Sequence, residues 1–531
     1  MLPYLVIVPI LTAVFLYVFP VAKAARLIAV VVQAGVTALA VYLFLLCREG
    51  DVIVNIGDFE SVLGITLRSD TLSSTFIVVT AFVFSIAAIY CFNGNPGKLF
   101  WFLLFIWEGL LIGIFLTRDL FNIFVLAEVA TVVVAILIMY NRDNRSMYDG
   151  MFYLMVSIVA MQFYLFGIGY VYKLTGVLDM EAAALALGEL DKSALILPYA
   201  LIITPICLKC ALLPLFNWLP KAHGTPSAPT AVSALLSGIH IKSGIYLFMR
   251  VQTLFSQIDF SLFFLAIGIA TGILGFILAI SQSDIKLILA YSTISQIGMI
   301  MTGLNIGDNY AHTGALYHAV NHALFKSALF LCAGLIEKVY GTRNIQDIRG
   351  VIKRMPVVAA ATVMAILGIT GAPLFNGSIS KYFIMSGTHW AISALIIFIN
   401  LGTIIVFFKY STILLGKTGS AGEDVIKSEK ISMTEQIAVF LLGAICFIGG
   451  ISGEIFINVL FNVQVHVDAG GYLEKTALFG ASVIAGYLIY KYYVQRSALI
   501  KRLRDIDIGF RGMCIAIGGF FAAILVGVNL L

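Results

Sequence analysis

The sequence predicts an all-α polytopic membrane protein. Of its 531 residues, 61% are hydrophobic and only 11% are charged, and the mean hydropathy is +1.01. This composition excludes an ordinary soluble domain. The apolar residues form unbroken runs of about 20, the length of a helical span, whereas a membrane β-barrel would show short alternating segments.

Sixteen apolar runs, separated by polar breaks, locate the expected transmembrane helices, spans 1 to 16. In chain order they cover residues 2–20, 27–47, 71–92, 99–117, 119–140, 149–172, 194–219, 229–250, 259–281, 286–305, 311–336, 356–386, 390–412, 433–459, 473–490 and 512–530.

Lysine and arginine are distributed unequally between the loops. Loops after odd-numbered spans (the odd face) contain 22, loops after even-numbered spans (the even face) contain 7, and four lysines lie within spans. Cytoplasmic loops carry an excess of these residues, so we expect a cytoplasmic odd face and both termini on the outer side. The densest basic segment, Lys491–Arg511, is either a cytoplasmic anchor or a site for anionic lipid or an acidic partner.

A short internal repeat divides the chain. Pro214-Leu-Phe-Asn217 recurs 159 residues later as Pro373-Leu-Phe-Asn376, and each copy interrupts an apolar run near a buried lysine. Broken helices are common in transporters, where freed backbone groups face a polar cavity. Because spans 7 and 12 cross the membrane in opposite directions, two inverted repeats with broken helices 7 and 12 are expected.

Ionisable side chains lie deep within the apolar runs. They are Glu108, Glu128, Lys209, Lys242, Lys326 and Lys381. A charge at a helix centre costs about 2.5–3.5 kcal/mol on insertion scales, and such residues usually line an ion or proton path. Glu128 lies about 15 Å along a helix from Arg118, half of a ~30 Å hydrocarbon core. We therefore expect a row of charges near the midplane, with Glu128 as the counter-ion of Lys209.

Span 11 adds two histidines to these charges. His318, His322 and Lys326 are four residues apart and share one helix face. This face suits a proton relay; structural hydrogen bonding and metal binding are the alternatives, although no third metal ligand is evident. Cys207 and Cys210 form the one C-x-x-C pair, too few ligands for zinc or an iron–sulfur cluster. No metal or cofactor is expected.

Four stretches have distinctive residue patterns. They are Glu108–Glu128 in spans 4 and 5, Lys209–Tyr246 across spans 7 and 8, Asp284–Gly298 in span 10, and His318–Pro356 in span 11 and its following loop. Together they resemble the antiporter-like, proton-translocating membrane subunits shared by respiratory complex I, Mrp-type Na⁺/H⁺ antiporters and membrane-bound hydrogenases.

The resemblance implies 14 core helices, followed here by two C-terminal ones. Residues 1–98 would hold helices 1–3, residues 99–250 and 251–415 two inverted five-helix bundles (helices 4–8 and 9–13), and residues 416–531 helices 14–16. It also implies that Glu128 pairs with Lys209 and that Lys242 passes protons toward span 11 and Lys381. The link Lys491–Arg511 is too short for the long lateral helix of the distal complex I subunit, which favours a prokaryotic Mrp-type or hydrogenase-type complex.

We therefore expect an ion-translocating subunit that moves H⁺ and/or Na⁺ in a prokaryotic cell membrane. Its partners would be other membrane subunits, including further antiporter-like ones, and lipid, with no nucleic acid. The chain shows no redox centre, so any enzymatic activity would belong to the larger complex. A stand-alone transporter of another solute and a non-conducting scaffold are the alternatives; the row of lysines disfavours the first, and the cost of six buried charges disfavours the second.

Overall fold

The computed structural model describes residues 1–19, 24–59, 64–94, 96–224, 228–416, 430–497, 500 and 502–529. Four of the loop cations counted above, Lys23, Lys417, Lys427 and Lys501, lie outside the described residues. The structure is a bundle of apolar helices with one small antiparallel hairpin, in which strand β1 (Val52–Asn55) pairs with β2 (Thr66–Ser69).

The helices follow one another through short connections. They are α1 (Leu2–Val18), α2 (Ala25–Cys47), α3 (Thr71–Cys91), α4 (Lys98–Leu116), α5 (Leu120–Ile138), α6 (Asn144–Thr175), α7 (Met180–Gly188), α8 (Lys192–Lys209), α9 (Trp218–Gly224), α10 (Thr230–Leu235), α11 (Ile241–Leu254), α12 (Ser261–Ser281), α13 (Ile285–Leu304), α14 (Asn309–Tyr340), α15 (Val351–Arg354), α16 (Pro356–Thr370), α17 (Asn376–Met385), α18 (Trp390–Ser411), α19 (Met433–Ile451), α20 (Gly453–Phe461), α21 (Ala469–Ile489) and α22 (Phe510–Asn529). A π-helical turn, Leu236–His240, joins α10 to α11.

The predicted all-α membrane architecture is confirmed. Within the described parts of the chain, 14 helical segments are long and apolar enough to cross a membrane, and α1 and α16 are shorter apolar helices. Together they correspond to the sixteen predicted spans. Span 7 consists of α8 and α9, and span 12 of α16 and α17.

Both predicted helix breaks are present. Helix α8 ends at Lys209 and α9 begins at Trp218, and the intervening Ala211 has a φ of 53°. Helix α16 ends at Thr370 and α17 begins at Asn376, and Leu374 between them has a φ of 70°. Pro214 and Pro373, one in each break, have no N–H to continue a helix. Each break therefore frees backbone carbonyls inside the bundle.

The internal repeat extends well beyond the four matching residues. Asp119 and Asp284 cap α5 and α13, Asp143 and Asp308 cap α6 and α14, and Gly176 and Gly341 end α6 and α14 in a left-handed conformation. Each pair is separated by 165 residues, and α6 and α14 both have 32 residues. The matching Pro-Leu-Phe-Asn motifs are only 159 residues apart, because the second copy has a connection six residues shorter before its helix break.

Each ion pair between loops joins residues of the same face. Asp70, Arg118 and Arg250 form a cluster on the even face, whereas Asp284–Arg343, Lys286–Glu337 and Lys221–Asp507 lie on the odd face. Among the described residues, no ion pair joins a loop of one face to a loop of the other. This agrees with the alternation that sixteen spans require, and it places the starts of α5 and α13 on opposite faces.

The C-terminal linker, defined here as the described residues between 490 and 509, crosses the odd face of its own chain. Lys221 Nζ lies 2.6 Å from a carboxylate oxygen of Asp507, and Asn217 Nδ2 donates to the carbonyl of Ile508 at 2.7 Å. Because α21 packs on α18 while α22 packs on α8 and α6, the linker connects the second repeat to the first.

Candidate functional site

Lys209 lies at the last residue of α8, next to the first helix break. Its Nζ donates to Thr131 Oγ1 at 3.3 Å, and Thr131 is one turn beyond Glu128 on α5. The Oε1 atom of Glu128 is buried without a hydrogen-bond partner. The structure shows no ion pair within 4.0 Å between Glu128 and Lys209. The two groups are electrostatic neighbours, and the hydrogen bond of Lys209 goes to the neighbouring threonine.

Glu128 itself sits at the edge of the bundle. It is half-buried, and Val125, Val129 and Val132 beside it on α5 are exposed. Its carboxylate is therefore near both Lys209 and the outer surface of the chain.

The π-helical turn in span 8 organises the next part of the site. Trp107 Nε1 donates to His240 Nδ1 at 3.3 Å, and Tyr153 Oη lies 3.0 Å from His240 Nε2. Because Nδ1 accepts, the neutral ring carries its hydrogen on Nε2. His240 thus faces away from Lys242, as its position two residues earlier suggests. Single π-turns in helices often occur at functional sites.

Lys242 connects span 8 to span 11. Its Nζ donates to the carbonyl of Ser237 within the π-turn at 2.5 Å and is in hydrogen-bond contact with His322 Nδ1. Lys242 is 1% exposed and His322 is fully buried. The accepting carbonyl belongs to the π-turn, so the irregular backbone of span 8 holds this buried lysine.

His318 connects span 11 to span 12. Its Nε2 lies 3.1 Å from Gln296 Oε1, and its Nδ1 lies 2.8 Å from Ser380 Oγ. An amide oxygen only accepts, so Nε2 donates to Gln296 and Nδ1 accepts from Ser380. Ser380 directly precedes Lys381, and the shared face of α14 therefore leads from Lys242 to the second lysine position.

Lys381 is held beside the second helix break. Its Nζ donates to the Ile369 carbonyl and to Asn400 Oδ1, both at 2.6 Å. A cavity of about 50 Å³ adjoins it and is lined also by Tyr472 and Ser482 of α21. The fifteenth span, outside the implied 14-helix core, thus contributes to the surroundings of Lys381.

Lys326 shares the α14 face as predicted but bonds toward α13. Its Nζ donates to the Leu289 carbonyl at 2.8 Å and contacts Ser292 Oγ. Ser237 and Thr293 form a hydroxyl pair at 2.8 Å, joining the π-turn of span 8 to α13.

Glu108 is not brought together with the lysines. It is fully buried, and its Oε1 accepts from Gln33 Nε2 of α2 at 2.6 Å. In the described structure no ion pair involves Glu108. Its neighbour Trp107 is the residue of α4 that contacts this site, through His240.

The neutral side chains that join these charges were not predicted from the sequence. They are Thr131, Tyr153, Gln296, Ser380 and Asn400. His223 was also not singled out as a site residue, although it is fully buried with neither ring nitrogen bonded and stacks on Phe330. Ser380 could have been found from its adjacency to Lys381; the others carry no distinguishing signal in a chain rich in Ser, Thr and Tyr.

The four lysines share one chemical feature. Each Nζ bonds to a neutral acceptor, namely a hydroxyl, carbonyl, amide or imidazole, and none has a carboxylate within 4.0 Å in the described residues. Neutral acceptors can hold a lysine in either protonation state, whereas a bonded carboxylate would favour the charged form. The arrangement is therefore suited to passing protons.

The chain is similar to known membrane transport and respiratory proteins. Residues 117–407 match the family described as NADH:quinone oxidoreductase/Mrp antiporter, TM. The chain belongs to this family. The D subunit of the Na⁺/H⁺ antiporter of Alkalihalophilus pseudofirmus is 29% identical over 401 residues, covering 72% of this chain and 80% of that protein. The N subunit of the NADH-quinone oxidoreductase of Desulforudis audaxviator is 34% identical over 362 residues, covering 65% of this chain and 72% of that protein.

Chains of two solved membrane complexes share the fold. A chain of the Mrp complex from Dietzia sp. DQ12-45-1b superposes with a TM-score of 0.80 at 22% identity, covering 92% of this chain and 98% of that chain. A chain of the archaeal membrane-bound sulfane sulfur reductase superposes with a TM-score of 0.79 at 24% identity, covering 91% of this chain and 99% of that chain. The family resemblance is thus confirmed, and these relatives are subunits of multi-subunit membrane assemblies.

Proposed function

We propose that this protein translocates protons, alone or in exchange for Na⁺, as one subunit of a larger membrane complex. The observation that carries the proposal is the contact between Lys242 and His322, which joins buried titratable side chains of two different helices. The antiporter and oxidoreductase subunits among its relatives support the same function.

The residues divide into groups that hold a proton and groups that position them. Lys242 would pass a proton reversibly to and from His322 Nδ1. His318 would take up and release a proton at Nδ1, through Ser380 Oγ next to Lys381, while Gln296 holds its Nε2–H. At the other end of the row, Thr131 positions Lys209, and Glu128 sets the local charge. Lys326, which bonds toward α13, would exchange protons at the side of this path. Glu108, which bonds to Gln33, would be a separate buried carboxylate.

We propose that the chain divides into the same segments that the family resemblance implies. Residues 1–98 would form the first three helices, residues 99–250 and 251–415 the two translocating bundles, and residues 416–531 the C-terminal helices. The excess of lysine and arginine supports a cytoplasmic odd face in a prokaryotic cell membrane, with both termini outside.

We infer an Mrp-type or hydrogenase-type complex. The similarity to the D subunit of an Na⁺/H⁺ antiporter and the shared fold with the Mrp complex and the archaeal reductase support this assignment. A partly exposed Glu128 beside exposed valines suits contact with a further antiporter-like subunit. Lipid would cover the remaining apolar surface.

Substitution of Lys209 tests the proposal. Lys209→Ala should abolish ion flux, and Lys209→Arg should not restore it, because a guanidinium stays protonated and cannot pass through a neutral form. Flux would be measured in inverted vesicles containing the whole complex, after a pH jump or a Na⁺ pulse, and normalised to subunit content.

Lys192→Ala is the matched control, since Lys192 begins the same helix and is exposed. It should transport at the wild-type rate. Wild-type flux in the Lys209→Arg variant would show that deprotonation of this lysine is not required. Flux by the chain expressed alone would instead favour a stand-alone transporter.

A further inference from the structure

A basic cavity lies on the odd face beneath the C-terminal linker. Its volume is about 440 Å³. It is lined by residues near the ends of α12 and α18, by the loop before α15, and by the linker itself. Arg349, Lys409 and Arg504 line it together with Tyr490, Ile280 and Ile500.

The three cations are positioned by backbone carbonyls. Lys409 Nζ donates to the Ile280 carbonyl at 2.7 Å, Arg349 Nη1 to the Ile345 carbonyl at 2.6 Å, and Arg504 Nε to the Ser281 carbonyl at 3.3 Å. Among the side chains that the structure describes, no carboxylate lies within 4.0 Å of them. These bonds fix the side chains without neutralising their charge.

Five other cations on the same face are paired with carboxylates. The pairs are Arg145–Asp149, Lys221–Asp507, Lys286–Glu337, Lys338–Glu435 and Arg343–Asp284. In the described part of the chain, Arg349, Lys409 and Arg504 have no such partner and line one cavity together, so the cavity is suited to an anion.

The lining favours an anion that carries an apolar part. Ile280, Val494 and Ile500 border the cavity next to the basic groups, and the cavity lies where α12, α18 and α21 end, the level at which lipid headgroups meet hydrocarbon. Basic pockets between helices on the cytoplasmic side bind anionic headgroups. Arginine donates to phosphate oxygens through two N–H groups. Arg349 bonds to the protein through Nη1 and Arg504 through Nε, so each keeps its Nη2 group for an anion.

We propose that this cavity binds a phosphate-bearing anion, with the headgroup of an anionic phospholipid as the source that the apolar border favours. The bound phosphate would connect the C-terminal linker to α12 and α18. This site is independent of the proposed proton path, because none of its three cations belongs to the row from Glu128 to Lys381.

The test uses the full chain purified in detergent and titrated with phosphatidylglycerol, phosphatidylcholine or inorganic phosphate. Binding is followed by native mass spectrometry and by the rise in thermal midpoint. The wild type should bind phosphatidylglycerol in preference to phosphatidylcholine. In the double variant Arg349→Gln with Arg504→Gln, the Kd for phosphatidylglycerol should rise about tenfold or more, since each basic residue near an anionic surface adds about 1 kcal/mol of attraction.

The matched control is the double variant Arg496→Gln with Arg502→Gln. Both residues are exposed on the same linker and lie outside the cavity lining, so the net charge changes equally while the Kd should stay near the wild-type value. The charge-preserving variant Arg349→Lys with Arg504→Lys should also bind phosphatidylglycerol. Binding by this variant would show that changes at these two positions do not unfold the site.

Two results would overturn the proposal. Equal weakening in both glutamine double variants would show that diffuse surface charge binds the lipid. Equal affinity for phosphatidylcholine and phosphatidylglycerol would show that the site does not recognise an anion. Displacement of the lipid by millimolar inorganic phosphate would support the phosphate site with a soluble ion as its source, and a failure to displace would support the phospholipid.

Discussion

Replacing Asp70 with asparagine would measure how strongly one carboxylate holds the even face together. Asp70 Oδ2 lies 3.1 Å from Arg118 Nη2 and 2.5 Å from Arg250 Nη2. It also caps α3 by accepting from Ser73 N at 2.8 Å. Asparagine is an equally good N-cap residue, so the substitution removes the charge while keeping the cap.

The expected loss of stability can be bounded in two ways. Burial alone raises the pKa of Asp70, but the guanidinium groups of Arg250 and Arg118 outweigh it and lower the pKa from 3.8 to about 2. That shift corresponds to about 2.5 kcal/mol at neutral pH. Breaking a buried ion pair from one side costs about 3–5 kcal/mol. Arg118 keeps its bond to Tyr246 Oη at 2.7 Å, whereas Arg250 Nε is already buried without a partner. We therefore expect a loss of about 3 kcal/mol.

The pH dependence has a definite sign. Because the folded-state pKa of Asp70 lies below the ordinary value of 3.8, its contribution is complete above about pH 5 and is lost as the pH falls toward 2. The difference in unfolding free energy between wild type and Asp70→Asn should therefore narrow by about 1 kcal/mol at pH 3.

Thermal unfolding of the purified chain in detergent measures this effect. Asp51→Asn is the matched control, since Asp51 pairs with Arg68 on the same face with both side chains partly exposed, an interaction of about 0–1 kcal/mol. If Asp70→Asn lowers the midpoint no more than Asp51→Asn, or if the difference does not narrow at low pH, the ion-pair cluster does not stabilise the even face as argued.

Three further predictions concern the proton path and the packing around it. Glu128→Gln should abolish coupled ion flux in vesicles while leaving assembly intact, because it removes the charge near Lys209; unchanged flux would remove Glu128 from the path. Lys381→Glu should retain more flux than Lys381→Ala, since glutamate can also take up and release a proton; equal and complete loss in both would show that the sign of the charge matters as well. Gly298→Ala should destabilise the protein by about 3 kcal/mol in thermal unfolding, because a Cβ there would overlap the backbone of Gly268 and Gly272. Gly169→Ala on α6, where a Cβ meets no atom within 4 Å, should be neutral or stabilising, and a similar loss in both glycine variants would contradict the packing argument.

The path itself was only partly predictable. The sequence singled out Lys209, Lys242, His318, His322, Lys326 and Lys381 because a charge or imidazole in a long apolar run is costly and therefore conspicuous. Partner choice was not predictable. Lys209 was expected to pair with Glu128; the two are electrostatic neighbours, but the hydrogen bond of Lys209 goes to Thr131. Glu108 was expected in the row and instead bonds to Gln33. The rotation and axial position of each helix decide which side chains touch. On α5, a shift of one turn places the hydroxyl of Thr131 instead of the carboxylate of Glu128 in hydrogen-bond contact with Lys209.

By itself the sequence determined the membrane fold, the sixteen spans, the two helix breaks and the family, because hydrocarbon requires long apolar helices and makes buried charges and prolines stand out. Only the tertiary structure decided the full extent of the repeat at a spacing of 165 residues, because capping aspartates and terminal glycines are common in any chain until their helices are compared. It also placed the Ser237 carbonyl of the π-turn against Lys242, and Arg504 of the linker beside Arg349 and Lys409. These features depend on distances between segments far apart in the chain, which periodicity and composition do not encode.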